Sequence, residues 1–115
     1  MSRTPTDVLA EIYQLLLERK TASADTSYVA SLYAKGLDAI LKKVGEEAAE
    51  TIIAAKNPDR KALTGELADL WFHSLVLMAA QDLPVSAVTD ELARRMGTSG
   101  LAEKASRTKQ EIRHG

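Results

Sequence analysis

Apolar residues along this chain recur at threes and fours, the spacing of one helix face, and not at the twos of a strand. Val8, Ile12, Leu15 and Leu16 make such a stripe over 5–19, opened by Thr4 as N-cap, Pro5 at the first helical position and Asp7 in the positive first turn. Residues 20–27 have no period and predict a mobile loop. A short helix is expected over 28–35, closed by Gly36, followed by a long one over 37–57. On the long helix, Leu37, Leu41, Val44, Ala48, Ile52 and Ala55 share a face. Asn57-Pro58-Asp59 ends it, because proline lacks an amide donor and restricts the residue before it. A second long helix is predicted over 59–81 and a shorter one over 85–96, stopped at Gly97. Thr98 to Gly100 reads as a turn; 101–115 is polar with a weak helical period, and disorder is expected after about residue 107. The fold class is therefore all-α, a compact helical bundle whose two long helices run antiparallel across the 57–59 turn.

Composition narrows the class further. The 115 residues suit one domain spanning 1–115, with a core small enough that self-association would help it. Cysteine is absent, which removes thiol catalysis, disulfides and Cys-ligated zinc together. A net charge of −1 argues against a nucleic-acid partner bound through a basic surface. No secretory h-region is visible at the start, and the longest apolar-rich stretch, 70–80, contains His73 and is too short to span a bilayer. A soluble, cytoplasmic protein with no membrane partner is expected.

Two acidic clusters carry the candidate chemistry. At about 100° per residue, Glu46, Glu47 and Glu50 fall on one arc of the first long helix, with Lys43 beside them and the apolar stripe nearly opposite. A solvated face with ordinary Lys43 ion pairs is the default for such an arc. The second long helix is different, because Leu63, Leu67, Leu70, Trp71, Phe72, Leu75, Val76, Leu77 and Met78 cover nearly its whole circumference, which predicts burial. Glu66 and Asp69 interrupt that surface, with His73 just beyond. Burying ionised carboxylates costs on the order of several kcal/mol each unless a cation faces them. Across a short turn the two clusters meet at one level, and a single lysine does not neutralise five acids. An all-oxygen donor set selects Mg²⁺, with Mn²⁺ as a substitute, and Mg²⁺ completes its shell with substrate phosphates.

The pattern Glu46-Glu47-Ala48-Ala49-Glu50 with Glu66-Leu67-Ala68-Asp69 resembles the E-E-x-x-E … E-x-x-D signature of the MazG-like all-α nucleoside triphosphate pyrophosphohydrolases. The segments 27–32, 34–36, 42–48 and 66–70, with 98–107 near the end, are similar to the phosphoribosyl-ATP pyrophosphatase family of histidine biosynthesis. That resemblance covers about 6–107 and implies hydrolysis of phosphoribosyl-ATP to phosphoribosyl-AMP and pyrophosphate, Mg²⁺ dependence and a homodimer or higher homo-oligomer. Expected metal ligands are Glu47, Glu50, Glu66 and Asp69; the catalytic set is Glu46, Glu47 and Lys43. Glu46 has three readings: a second ion's ligand, the base that orients water, or a solvent-facing acid. No Walker-type phosphate loop exists, so substrate phosphates fall to Lys43, with Lys42 and Lys35 behind it, while the resemblance of the tail implies that Ser99, Lys104 and Arg107 bind the ribose-phosphate end of the substrate. Arg94 and Arg95 read as helix-end cations. His73 reads as a satisfied core histidine or a brace for Asp69, and Tyr28 and Tyr33 as core residues or an adenine platform; Trp71 and Phe72 belong to the core or a dimer interface. The rivals are a house-cleaning nucleoside triphosphate hydrolase of the same superfamily and a non-catalytic helical interaction module.

Overall fold

The computed structural model describes residues 3–96, 100 and 104–107, and all regular structure among them is helical. The order is α1 (Pro5–Glu18), a 3₁₀ turn (Arg19–Thr21), α2 (Tyr28–Lys35), α3 (Leu37–Ala55), α4 (Arg60–Ala80) and α5 (Val85–Arg95). The chain divides into two compact units, Met1–Val85 and Ser86–Gly115. In the second unit, Glu91 of α5 is paired with Arg94 and Arg95, whose hydrogen bonds hold its carboxyl at about 2, well below the usual carboxylate range. Residues 100 and 104–107 are helical, so Gly100 belongs to helix and not to the turn expected over 98–100; the other two residues of that turn and the expected disorder after 107 lie outside the described residues.

Local signals set the helix ends of the first unit. Thr4 and Asp7 close a reciprocal capping box at the start of α1, each side chain 3.1 Å from the other's amide. The 20–27 segment is more ordered than a patternless loop. Its first residues continue α1 as the 3₁₀ turn, and Lys20 reaches Asp82 at 2.7 Å, tying that turn to the end of α4. Ser27 then caps α2 through the Ala30 amide. Gly36 lies at φ +100, a backbone region costly for any residue with a Cβ, so the break between α2 and α3 needs glycine. Asn57 donates to the Ile53 carbonyl, and Asp59 accepts from the Ala62 amide at 3.0 Å; between them they close α3 and open α4 within a few residues. The two long helices are thereby antiparallel neighbours and share the most extensive interface in the fold.

The core is one cluster of Tyr13 and Leu16 from α1, Val29 and Leu32 from α2, Ile40 from α3, and Leu75, Val76 and Ala79 from α4. It does not use the α3 stripe that periodicity selects. The buried residues of α3 are Ile40, Glu47 and Ala54, spaced by sevens, whereas Leu37, Leu41 and Ile52 are exposed. A stripe marks what a helix would gain by burying; which edge is covered depends on the neighbours, and among the described residues α3 packs chiefly against α4 and, less extensively, α2. The same holds for α4, whose expected all-round burial is overturned at Trp71, 60% exposed, and Leu67. Helices α1 and α3 pack on α4, and Trp71 lies at a cleft between α1 and α4 that leaves it exposed. No described helix is long and apolar enough to cross a membrane.

Ile40 is 1% exposed at the junction of these elements. Ile40→Ala is expected to lower the unfolding free energy by about 3 kcal/mol in urea titration, with helical circular dichroism retained in buffer.

Candidate active site

The α3–α4 hairpin brings three carboxylates together. Glu47 on α3 faces Glu66 and Asp69, one turn apart on α4, and one oxygen from each lies within 4.8 Å of the others. Glu47 is the most deeply buried of the three, 6% exposed; Glu66 is intermediate and Asp69 exposed. This reverses the weight the sequence gives the two clusters, since the acid expected on a solvated arc is the buried one. The reason is geometric: the covered edge of α3 runs through Ile40, Glu47 and Ala54 and turns Glu47 onto α4.

Charge in this group is poorly compensated. Lys43 Nζ stands 3.4 Å from Glu47 Oε1 and 3.6 Å from Glu46 Oε2, so one ammonium serves two acids of its own helix. Burial works against the charged ammonium, but the Tyr28 phenol, a hydrogen bond and charge from Glu47, and the charge of Glu46 outweigh it, and the lysine is held above its ordinary range. Glu47 Oε2 and Glu66 Oε2 are buried without a hydrogen-bond partner. Orphaned carboxylate oxygens are costly, and two of them on members of one acidic group fit a hard, oxygen-seeking cation. The donor set is all oxygen, which disfavours zinc or copper.

A polar chain supports the group from behind. His73, 6% exposed, places Nδ1 2.8 Å from the Asp69 carbonyl and Nε2 2.8 Å from the Tyr28 hydroxyl. It is both a satisfied core histidine and a brace for the Asp69 turn, though through main chain and not through the carboxylate. Tyr28 at the start of α2, expected in the core or as an adenine platform, is exposed rather than core, and its bond to His73 is the contact that sequence reasoning missed. A lone tyrosine after a serine cap carries no signal of its partner, and only the packing of α2 on α4 supplies it. Tyr33, the other tyrosine of α2, instead donates to the Leu16 carbonyl at 2.7 Å.

Within the first unit, the remaining expected acids and lysines other than Lys43 stand outside the close group. Glu46 is exposed and paired with Lys43 and, at 3.9 Å, with Lys42. Glu50 is exposed on the next turn of α3 and is not part of the close group, so three acids converge where five were expected. Lys35 ends α2, exposed. Ser99 lies outside the described residues, and Lys104 and Arg107 belong to the second unit. Asp69 also borders an apolar cleft of 520 Å³ between α1 and α4, lined by Val8, Ile12, Trp71, Phe72 and Leu75 among others.

The family model described as phosphoribosyl-ATP pyrophosphohydrolase matches residues 9–96, a span that takes in every residue of the acidic group. The chain belongs to that family. A phosphoribosyl-ATP pyrophosphatase from Methylococcus capsulatus is 58% identical over 88% of this chain and 96% of its own. One from Trichlorobacter lovleyi is 58% identical over 87% of this chain and 93% of its own, and one from Geobacter metallireducens 54% over 90% and 95%. As a member of this pyrophosphohydrolase family the chain is a hydrolase, and an acidic group lacking enough cations is a feature such an enzyme can use.

The same features predict a trade between stability and binding. Glu66→Gln removes a poorly compensated charge and is expected to raise the metal-free unfolding midpoint by about 4 °C in scanning calorimetry. Wild type is expected to gain about 2.7 kcal/mol of stability at Mn²⁺ a hundredfold above its Kd, and Glu66→Gln to lose most of that gain.

Proposed function

We propose that the chain splits phosphoribosyl-ATP into phosphoribosyl-AMP and pyrophosphate at the α3–α4 acidic group, the second step of histidine biosynthesis. The observation that carries the site is the meeting of Glu47, Glu66 and Asp69 with two carboxylate oxygens left unpartnered. Membership of the phosphoribosyl-ATP pyrophosphohydrolase family carries the substrate.

Glu47, Glu66 and Asp69 would hold Mg²⁺, or Mn²⁺ in its place, with Glu50 on the next turn of α3 as the fourth carboxylate that would serve the ion. Bound there, the ion supplies Lewis acidity at the phosphate oxygens and lowers the pKa of the attacking water. The chain's own part is to bind and orient. Lys43, kept fully protonated by its acidic neighbours, offers its ammonium to the phosphate chain and offsets negative charge as the α–β anhydride breaks. Glu46, exposed beside Lys43, orients the water and accepts its proton. Water oxygen forms the new bond to phosphorus, the bridging oxygen leaves with the pyrophosphate, and the water proton passes to the carboxylate. Lys35 and Lys42 contribute charge for the triphosphate, and Ser99, Lys104 and Arg107 bind the ribose-phosphate end.

The working unit in this proposal is the single domain 1–115, acting in the cytoplasm as at least a homodimer. Exposed Leu37, Leu41 and Ile52 on α3, with Leu67 and Trp71 on α4, are the apolar surface that a second copy would cover.

Turnover under Mg²⁺ tests the reading directly. Phosphoribosyl-ATP is expected to be preferred over ATP and dCTP; a preference for a plain triphosphate contradicts the substrate assignment. Glu47→Gln and Asp69→Asn are expected to lower kcat by at least about a hundredfold, more than the loss of a residue that only supports a ligand. Helical circular dichroism of both variants should match wild type.

A further inference from the structure

Of the three tyrosines, one tryptophan and one phenylalanine in the chain, only Tyr28 and Trp71 are exposed. Tyr28 is exposed the wrong way round. A surface tyrosine ordinarily lays its ring on the protein and turns its polar tip to water. The Tyr28 residue is 53% exposed, yet its hydroxyl is drawn inward, 2.8 Å from Nε2 of buried His73. Among the described residues the apolar core includes Tyr13 and is packed by Tyr33, but not by Tyr28. The Tyr28 ring is held by that hydrogen bond and by meeting the imidazole edge to face at 5.8 Å. The imidazole is held in turn, with Nδ1 2.8 Å from the Asp69 carbonyl and the Phe72 ring edge to face at 5.4 Å. An aromatic ring that adds nothing to the core is thus fixed in place, half in solvent, one imidazole away from a residue of the acidic group.

We propose that the exposed ring of Tyr28 is the platform on which the adenine of phosphoribosyl-ATP stacks, with His73 fixing the ring for it. This inference rests on the proposed function, which puts the triphosphate at the acidic group and leaves the purine, one ribose away from the phosphates, to find a surface within reach. Every base has a π face, and an aromatic side chain is the surface that matches it. A ring already held in one orientation loses little freedom when a base settles on it. The other exposed aromatic residue is less well placed. At about 100° per residue, His73 lies about 40° from Asp69 around α4, whereas Trp71 lies about 160° from it. Trp71 does line the apolar cleft that Asp69 borders, but it stands on the surface offered to a second copy.

The test compares Tyr28→Leu and Tyr28→Phe with wild type in two measurements. One is steady-state kcat and KM for phosphoribosyl-ATP under Mg²⁺. The other is calorimetric binding of inorganic tripolyphosphate with Mn²⁺, a probe that has phosphates and no base. Both variants lose the hydroxyl, and only Tyr28→Leu loses the ring. Tyr28→Leu is expected to raise KM about tenfold with kcat within about threefold, the pattern of a contact made equally in the bound and transition states. Tyr28→Phe should raise KM by less than about threefold, and the tripolyphosphate Kd of both variants should stay within about twofold of wild type. An unchanged KM in Tyr28→Leu overturns the inference, and a rise of about tenfold in Trp71→Leu beside it would seat the base in the α1–α4 cleft instead. Equal rises in the two Tyr28 variants also overturn it, because the hydroxyl and not the ring would then be responsible. So does a matching loss of tripolyphosphate binding in Tyr28→Leu, which is what a structural role predicts. The two failures separate: wild-type turnover in Glu47→Gln and Asp69→Asn removes the proposed site itself, whereas inactivity there with an unchanged KM in Tyr28→Leu removes only this inference.

Discussion

Burying the Glu47 carboxylate between α3 and α4, opposite Glu66 and Asp69, is the constraint around which the site is organised. A carboxylate in that position costs stability unless something positive faces it, and Lys43 covers only one of its oxygens. The cost is tolerated because the apolar cluster of Ile40, Leu75, Val76 and Ala79 holds the same two helices together from one side of the acids. Core and site therefore share one interface. The apolar part fixes how far apart the helices lie, and the acidic part takes advantage of that separation.

The shortness of the 57–59 turn makes this arrangement reproducible. Asn57 and Asp59 satisfy the loose backbone groups of the two helices they join, so the register of α4 against α3 has little freedom. Ten residues before Asn57 and ten after Asp59, Glu47 and Asp69 reach the same level, with Glu66 one turn closer to the hairpin bend. The brace behind α4 acts on a smaller scale. His73, with a helix carbonyl on one nitrogen and a phenol on the other, spends both ring positions on holding the Asp69 turn and α2 together.

Much of this was legible in the residues, for physical reasons that differ by element. Helix ends were readable because caps act locally: Thr4 with Asp7, Ser27, Gly36 and the 57–59 turn all function within a few residues of themselves. The acids of the close group were readable because an apolar helix interrupted by Glu66 and Asp69 is costly wherever it packs. Which acid is buried was not, since a helix wheel shows the face a helix would like to cover and not the face its neighbours do cover. Glu47 lies on the covered edge of α3, and Leu41 and Ile52 do not. The bond of Tyr28 to His73 was also out of reach, because the two residues are distant in sequence and meet only once the helices that carry them have packed. Lys43 lies with the readable features, its ion pairs to Glu46 and Glu47 following from spacing along one helix.

The central claim is that Glu47, Glu66 and Asp69 hold a divalent cation at the point where the phosphates are cleaved. Anomalous diffraction from crystals grown with Mn²⁺ and a non-hydrolysable triphosphate analogue addresses it in one measurement. The account predicts a manganese peak about 2.1 Å from oxygens of all three carboxylates, with analogue phosphate completing the shell. A peak elsewhere, or none while the three carboxylates remain turned to lysine and solvent, would contradict it.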